Sequence, residues 1–184
     1  MVEFMKTRIL ALASLFIISA NSYAAQRSEI EKLYASQTPG SLIRCTMNQE
    51  SFFTDVDFVT NLTVTSNNGN KTKMDARILT KATGMGQRMN FLATFKTTRT
   101  MLDNHDTWVP DMTTLVLSSP DGSIKESDLS KFKEEFKEGI AFTTDQHSNI
   151  YLKNDSDYEI GQPSSGLFSS KSAMLCSTLF SKDK

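Results

Sequence analysis

From Val56 to Lys96 apolar and polar residues alternate in three consecutive runs, separated by glycine-bearing turns. In the first run Val56, Phe58, Leu62 and Val64 fall on one side and Asn61, Thr63 and Thr65 on the other. Asn68-Gly69 follows, a dipeptide that favours a hairpin because both central residues of a type I′ turn need positive φ. In the second run Met74, Ala76 and Ile78 recur opposite Asp75, Arg77 and Lys81, and Gly84-Met85-Gly86 makes the next turn. In the third, Met89, Phe91, Ala93 and Phe95 alternate with Arg88, Asn90, Thr94 and Lys96. Side chains of a strand point to opposite faces with period two, so these runs predict an antiparallel meander with one apolar and one polar face. Trp108 to Ser118 predicts a further arm, which Pro110 confines to a sheet edge or a bulge because it cannot donate to the ladder.

The flanking segments carry helical signals. Ser28 with Glu31 three residues on reads as a capping box, Ile30, Leu33 and Tyr34 share one helical face, and Pro39-Gly40 stops the chain, so a short helix is expected over Ser28 to Ser36. Leu42 to Met47 reads as a first strand. After a turn at Pro120-Asp121-Gly122, Ser127 is placed to cap a helix running to Glu138. In that helix Leu129, Phe132 and Phe136 line one side, Lys131 and Glu135 pair on the other, and Gly139 is the expected stop. Short strands are expected around Ile140 to Thr144, Asn149 to Lys153 and Tyr158 to Ile160, followed by a Ser/Gly-rich loop from Ser164 to Ser172. Ala173 to Phe180 admits helix or strand, with Leu175 and Leu179 leaning toward helix. The expected class is α+β.

The N-terminus has the three-part layout of a secretory signal peptide. Lys6 and Arg8 supply positive charge, Ile9 to Ile18 is apolar but for Ser14, and Ser22 and Ala24 are small residues at the −3 and −1 positions of a cleavage site. An uncleaved anchor is the alternative, but the apolar run falls short of the about 20 residues a membrane span needs. Cleavage after Ala24 makes residues 1–24 the leader and 25–184 a single exported domain, periplasmic or secreted. Losing Glu3, Lys6 and Arg8 takes the charge count from 20 basic and 21 acidic to 18 and 20. That balance argues against nucleic acid as a partner, and no later segment is apolar enough to insert in a bilayer. Cys45 and Cys176 then most simply form one disulfide, with two free thiols as the alternative. They have no CxxC or zinc-ligand spacing.

Catalytic chemistry finds little footing. His105 lies between Asn104 and Asp106, and His147 between Gln146 and Ser148, both in polar loops without a Gly-x-Ser-x-Gly elbow. Asp103, Asp106 and Asp111 lack the spacing and central glycine of a calcium loop and read as solvated turn carboxylates. No metal-ligand or phosphate-loop pattern occurs, so neither cofactor nor metal is expected. Asn61, Asn70 and Asn154 open glycosylation sequons, which matter only in a eukaryotic secretory pathway. Methionine is abundant, at Met47, Met74, Met85, Met89, Met101, Met112 and Met174, several sharing strand faces with phenylalanines. Methionine suits a surface that must accept varied apolar partners, and equally well fills a core.

The stretch from Phe58 to Ser119 resembles the LolA/LolB-like carriers that sort lipoproteins to the outer membrane. The resemblance rests on Val59-Thr60 followed by Leu62-Thr63-Val64-Thr65-Ser66, the Asn68-Gly69 turn, Arg88-Met89-Asn90-Phe91-Leu92, and Asp106-Thr107-Trp108-Val109-Pro110. It implies an antiparallel meander curved into an unclosed half-barrel, with helices packed on one side as a lid over an apolar cavity. Carried across by position, Phe58, Leu62, Val64, Met74, Ile78, Met89, Phe91, Phe95 and Trp108 would line that cavity, and Leu129, Phe132 and Phe136 would face it from the lid. Burying an acyl chain is worth about 0.8 kcal/mol per CH₂, so release needs a partner or an opening of the lid. The sequence therefore supports a carrier or binding protein for a hydrophobic ligand. Its rival is a non-catalytic interaction module with an envelope protein as partner: an inhibitor, an immunity protein or an assembly factor. An enzyme built on His105 with Asp103 or Asp106 comes third.

Overall fold

A computed structural model describes residues 25–50, 54–84, 87–102, 106–143, 149–161 and 173–179. The leader, Met85-Gly86, Asp103, His105, His147 and the Ser/Gly-rich loop lie outside the described residues. The elements in order are helix α1 (Arg27–Ser36), strands β1 (Leu42–Glu50), β2 (Thr54–Asn67), β3 (Lys71–Gly84), β4 (Gln87–Met101) and β5 (Asp106–Ser118), helix α2 (Glu126–Thr143), and strands β6 (Asn149–Leu152), β7 (Asp157–Gly161) and β8 (Ala173–Leu179). All eight strands form one antiparallel sheet, ordered β5-β4-β3-β2-β1-β8-β7-β6. It is not closed into a barrel, and strand outweighs helix.

The alternation sets the two faces. One row crosses every strand on the inner face: Leu117, Ala93, Ile78, Thr60, Cys45, Cys176, Tyr158 and Leu152 are register partners in turn. Within it Cys45 and Cys176 are bonded directly across β1 and β8. The bridge closes a loop of sequence separation 131, worth about 5 kcal/mol in the chain-entropy account. It also joins the five-stranded meander to the three C-terminal strands.

The Asn68-Gly69 hairpin forms one residue later than the dipeptide suggests. Asn68 N–H donates to the Lys71 carbonyl at 3.1 Å, so Gly69 and Asn70 are the central pair, and Gly69 takes φ 88°. Two bulges tighten the twist, and each is closed by a threonine. Where β2 slips past β3, the Thr65 hydroxyl donates to the Lys73 carbonyl at 3.0 Å. Where β4 slips past β5, Thr114 Oγ1 accepts from Lys96 N–H at 2.9 Å. The open edges are blunted, since unpaired edge groups invite foreign strands. β5 carries Pro110 and the bulge, as expected, whereas β6 is four residues long and its Ile150 carbonyl accepts from Ala25 N–H at 2.7 Å.

Several local expectations are corrected. The box that starts α1 is Gln26 with Glu29, whose carboxylate accepts from Gln26 N–H at 2.8 Å. Glu31, expected to pair with Ser28, instead takes Arg27 at 2.8 Å one turn away. Helix α2 starts at Glu126, with the Lys125 carbonyl taking the first helical bonds, so Ser127 is not the cap. It then runs through Gly139 to Thr143, across residues expected to begin a strand. An interior glycine costs a helix about 1 kcal/mol, which does not by itself end one. The C-terminal segment is strand. Cys176 and Thr178 are buried while Leu175 and Leu179 point out, because the free edge of β1 and Cys45 need a partner more than that leucine pair needs a helix.

Candidate functional site: two ends of the inner face

At the Asn68–Lys71 end the inner face is sealed by α1. Leu33 and Tyr34 pack with Ile43, Leu62, Val64, Met74 and Phe95 in a continuous core. At its margin Arg99 is 1% exposed. Its guanidinium lies 3.3 Å from the centre of the Tyr34 ring, with Trp108 on another side at 5.6 Å. Arg99 Nη2 donates to Gln37 Oε1 at 2.7 Å and Thr72 Oγ1 at 3.1 Å. Gln37 Nε2 donates to Thr178 Oγ1 at 3.1 Å. The Tyr34 hydroxyl donates to the buried Asp106 carboxylate. Asn67 Nδ2 holds the end of α1 through the carbonyls of Tyr34 (2.6 Å) and Gln37 (2.9 Å). Asp106 is therefore a buried acceptor and not a solvated turn carboxylate, while Asp111 is exposed as expected.

This cluster is strongly insulated. Burial pushes the Tyr34 hydroxyl well above its ordinary pKa against the pull of Arg99, and Asp106 pushes it further. Burial likewise raises Tyr158, which Arg99 only partly offsets. Arg99 Nη1 and the Tyr158 hydroxyl have no partner at hydrogen-bond geometry among the described residues, although Gln37 lies close enough to bear on Tyr158.

The opposite end of the same strands is covered incompletely. Phe91, Thr80, Phe58 and Met47 are successive register partners across β4, β3, β2 and β1. Phe58, Phe91 and Met47 are half-buried. Helix α2 reaches them through Phe132, whose ring stacks on Phe91 at 6.4 Å and 24°. Ile78 and Phe132 are also half-buried, Leu129 is buried, and Met89 is 37% exposed. In the middle of this apolar row the Thr80 hydroxyl is buried without a partner among the described residues.

The expected lining residues thus divide. Leu62, Val64, Met74 and Phe95 belong to the packed core under α1, and Trp108 flanks Arg99 there. Ile78 also packs against that core. At the other end Phe91 stacks on Phe132, Phe58 lies two strands from Phe91 in the same row, Met89 is two residues from Phe91 on β4, and Leu129 is buried on α2; the Phe136 side chain lies outside the described residues. The sequence reading missed Arg99, Gln37 and Tyr34 as a unit. The signal for Arg99 was present, because Phe95, Thr97, Arg99 and Met101 continue the inward parity of β4.

A hollow of about 500 Å³ is lined by Thr46, Asn48, Asp57, Val59, Lys81 and Leu175, which alternate out of phase with the inner face, and also by Met47 and Phe58 of the inner row and by Ala173. Asn48 Nδ2 donates to Asp57 there at 2.7 Å. Among the described residues no group of three His, Cys, Asp or Glu side chains could hold a metal ion, and no helix is long and apolar enough to cross a membrane. Compared with protein-family models and with curated proteins, the chain matches none.

Proposed function

We propose that this protein is an exported, periplasmic carrier or binding protein for a hydrophobic ligand: a lipid, a free acyl chain or the acyl part of a lipoprotein. The ligand lies on the inner face beneath α2, with the sheet curved as a half-barrel and both helices on that side, in the manner of the LolA/LolB-like carriers the sequence resembles. The observation that carries this reading is the row Phe91, Thr80, Phe58, Met47. It is apolar, incompletely covered, and holds a buried hydroxyl with no partner among the described residues. A buried polar atom without a partner costs about 1–3 kcal/mol, which a ligand ester or carboxyl oxygen would offset. Phe91 and Phe132 give α2 a small aromatic contact that can part without unfolding the core under α1. No step of this function needs catalysis, a cofactor or a metal.

A second reading, a protein-interaction module, is favoured by Val109 and Val116, about 60% exposed on edge strand β5. One experiment separates the two. Native mass spectrometry of protein purified without detergent, followed by lipid extraction, should give a stoichiometric acyl adduct that Phe91→Asp abolishes. A clean apo mass that takes up no added fatty acid overturns the carrier and directs the search to envelope proteins.

A further inference from the structure

The outer face carries its charge unevenly. On β3 the outward positions are Lys71, Lys73, Asp75, Arg77, Leu79, Lys81 and Thr83, and their partners on β4 include Lys96, Leu92 and Arg88. All six basic residues are exposed, although the whole chain carries a formal net charge of −1. Asp75 is the acid within the strip, and Asp55 and Asp57 on β2 and Asp111 on β5 flank it. None of the six cations makes an ion pair among the described residues. At the centre Leu92, Leu79 and Val59 are cross-strand neighbours, an apolar row on a face that is otherwise charged. Val116, paired with Thr94 one row away, is 60% exposed beside them.

We infer that the outer face of β3 and β4 docks on an anionic phospholipid surface. From Lys71 to Lys81 the basic positions extend roughly 34 Å along one strand at about 3.4 Å per residue, a long array suited to many headgroups. The leucines between the cations supply shallow apolar contact, while the lysine and arginine stems let their charges reach the phosphates. A single small anion would leave most of the array unused. A second copy of the chain would set like-charged strips near one another unless it approached on a different face. The docking surface faces away from the proposed ligand row, so a docked molecule keeps α2 free to move.

Vesicle flotation tests the inference. The mature chain should float with phosphatidylcholine vesicles containing phosphatidylglycerol and not with phosphatidylcholine alone, and salt of about 1 M, where the Debye length is about 3 Å, should release it. Each basic residue near an anionic surface contributes about fivefold in affinity, so Lys73→Glu/Arg77→Glu/Lys81→Glu should weaken binding about a hundredfold or more. Charge reversal at Lys32 and Lys131 on the helices and at Lys125 just before α2 should leave binding within about twofold, because these lie outside the strip. The milder Lys73→Gln/Lys81→Gln pair should give an intermediate loss and serves if the triple variant does not fold. Phe91→Asp should still bind vesicles, so docking and ligand uptake can fail separately. Equal binding to neutral and anionic vesicles, no binding to either, or unchanged binding by the folded triple variant would overturn the docking surface.

Discussion

The two ends of the inner face are built from the same strands and are closed in different ways. Beneath α1, aliphatic side chains are capped by a buried cation, a tyrosine ring, an amide and a carboxylate, and the helix end is held by Asn67. Beneath α2 the described residues include a stacked aromatic pair, Phe91 and Phe132, beside half-buried side chains. Polar networks in low dielectric are costly to break, whereas stacked rings separate at about 0.5–1.5 kcal/mol beyond their area. The proposed carrier needs the first end to be rigid and the second to be adaptable, a division suited to holding a fold while exchanging a ligand.

The largest effect should come from breaking the sealed end. Arg99→Ala removes the cation and leaves Asp106 and Gln37 in a buried site, and loss of one member of such a charged cluster costs about 3–5 kcal/mol. The measurement is the urea midpoint at neutral pH, and a shift no larger than that of a surface substitution would show the network to be idle. Replacing Cys45 and Cys176 together by alanine should cost about 2–5 kcal/mol, seen first as accelerated hydrogen exchange in β6, β7 and β8.

A paired truncation sharpens the contrast. Leu62→Ala, in the closed core, should cost about 2–5 kcal/mol with little effect on fatty-acid uptake. Phe58→Ala, in the half-covered row, should cost less stability and reduce uptake more. Equal stability losses at the two sites would erase the distinction between the ends.

Alkaline pH offers a milder probe of the sealed end alone. Tyr34 and Tyr158 both have folded pKa values raised above 10.0, principally by burial. Below that pH the tyrosines are neutral in folded and unfolded chains alike, so their contribution is fully present. As pH rises past about 10, the unfolded chain loses protons that the folded chain keeps, and stability falls. Equilibrium unfolding from pH 8 upward should show this decline only in its alkaline part. The smallest effect is expected from Tyr158→Phe. Removing a buried hydroxyl that has no hydrogen-bond partner among the described residues should change stability by less than about 1 kcal/mol and soften the alkaline decline. A loss of several kcal/mol would mean that the hydroxyl is engaged.

Much of this contrast was legible in the residues, because strand parity is a strict code. Once Val56, Phe58, Leu62 and Val64 face one way, the inward set of β3 and β4 follows from pairing, and Cys45 and Cys176 were read correctly as partners. Parity says which face a side chain takes, but not how well that face is covered. Cover depends on where α1 and α2 come to rest, so Leu62 and Phe58 looked equivalent in sequence and are not. Arg99 escaped notice because an arginine in a threonine-rich run reads as solvated. The Tyr34 ring and the Gln37 amide, more than sixty residues earlier in the chain, join Thr72 and Trp108 in making its burial tolerable. The β8 strand was obscured for a similar reason. Its helical leucine spacing is a local signal, and the disulfide partner and open edge that overrule it are distant.

The most direct test of an adaptable end beside a rigid one uses the methionines already in place. With methyl-labelled methionine, a spin-labelled acyl chain should broaden the signals of Met47 and Met89 at the α2 end and spare Met74 and Met101, which are buried in the core under α1. Broadening of Met74 and Met101 along with the others, or no broadening of any methyl at saturating acyl chain, would contradict a ligand site confined to the half-covered end.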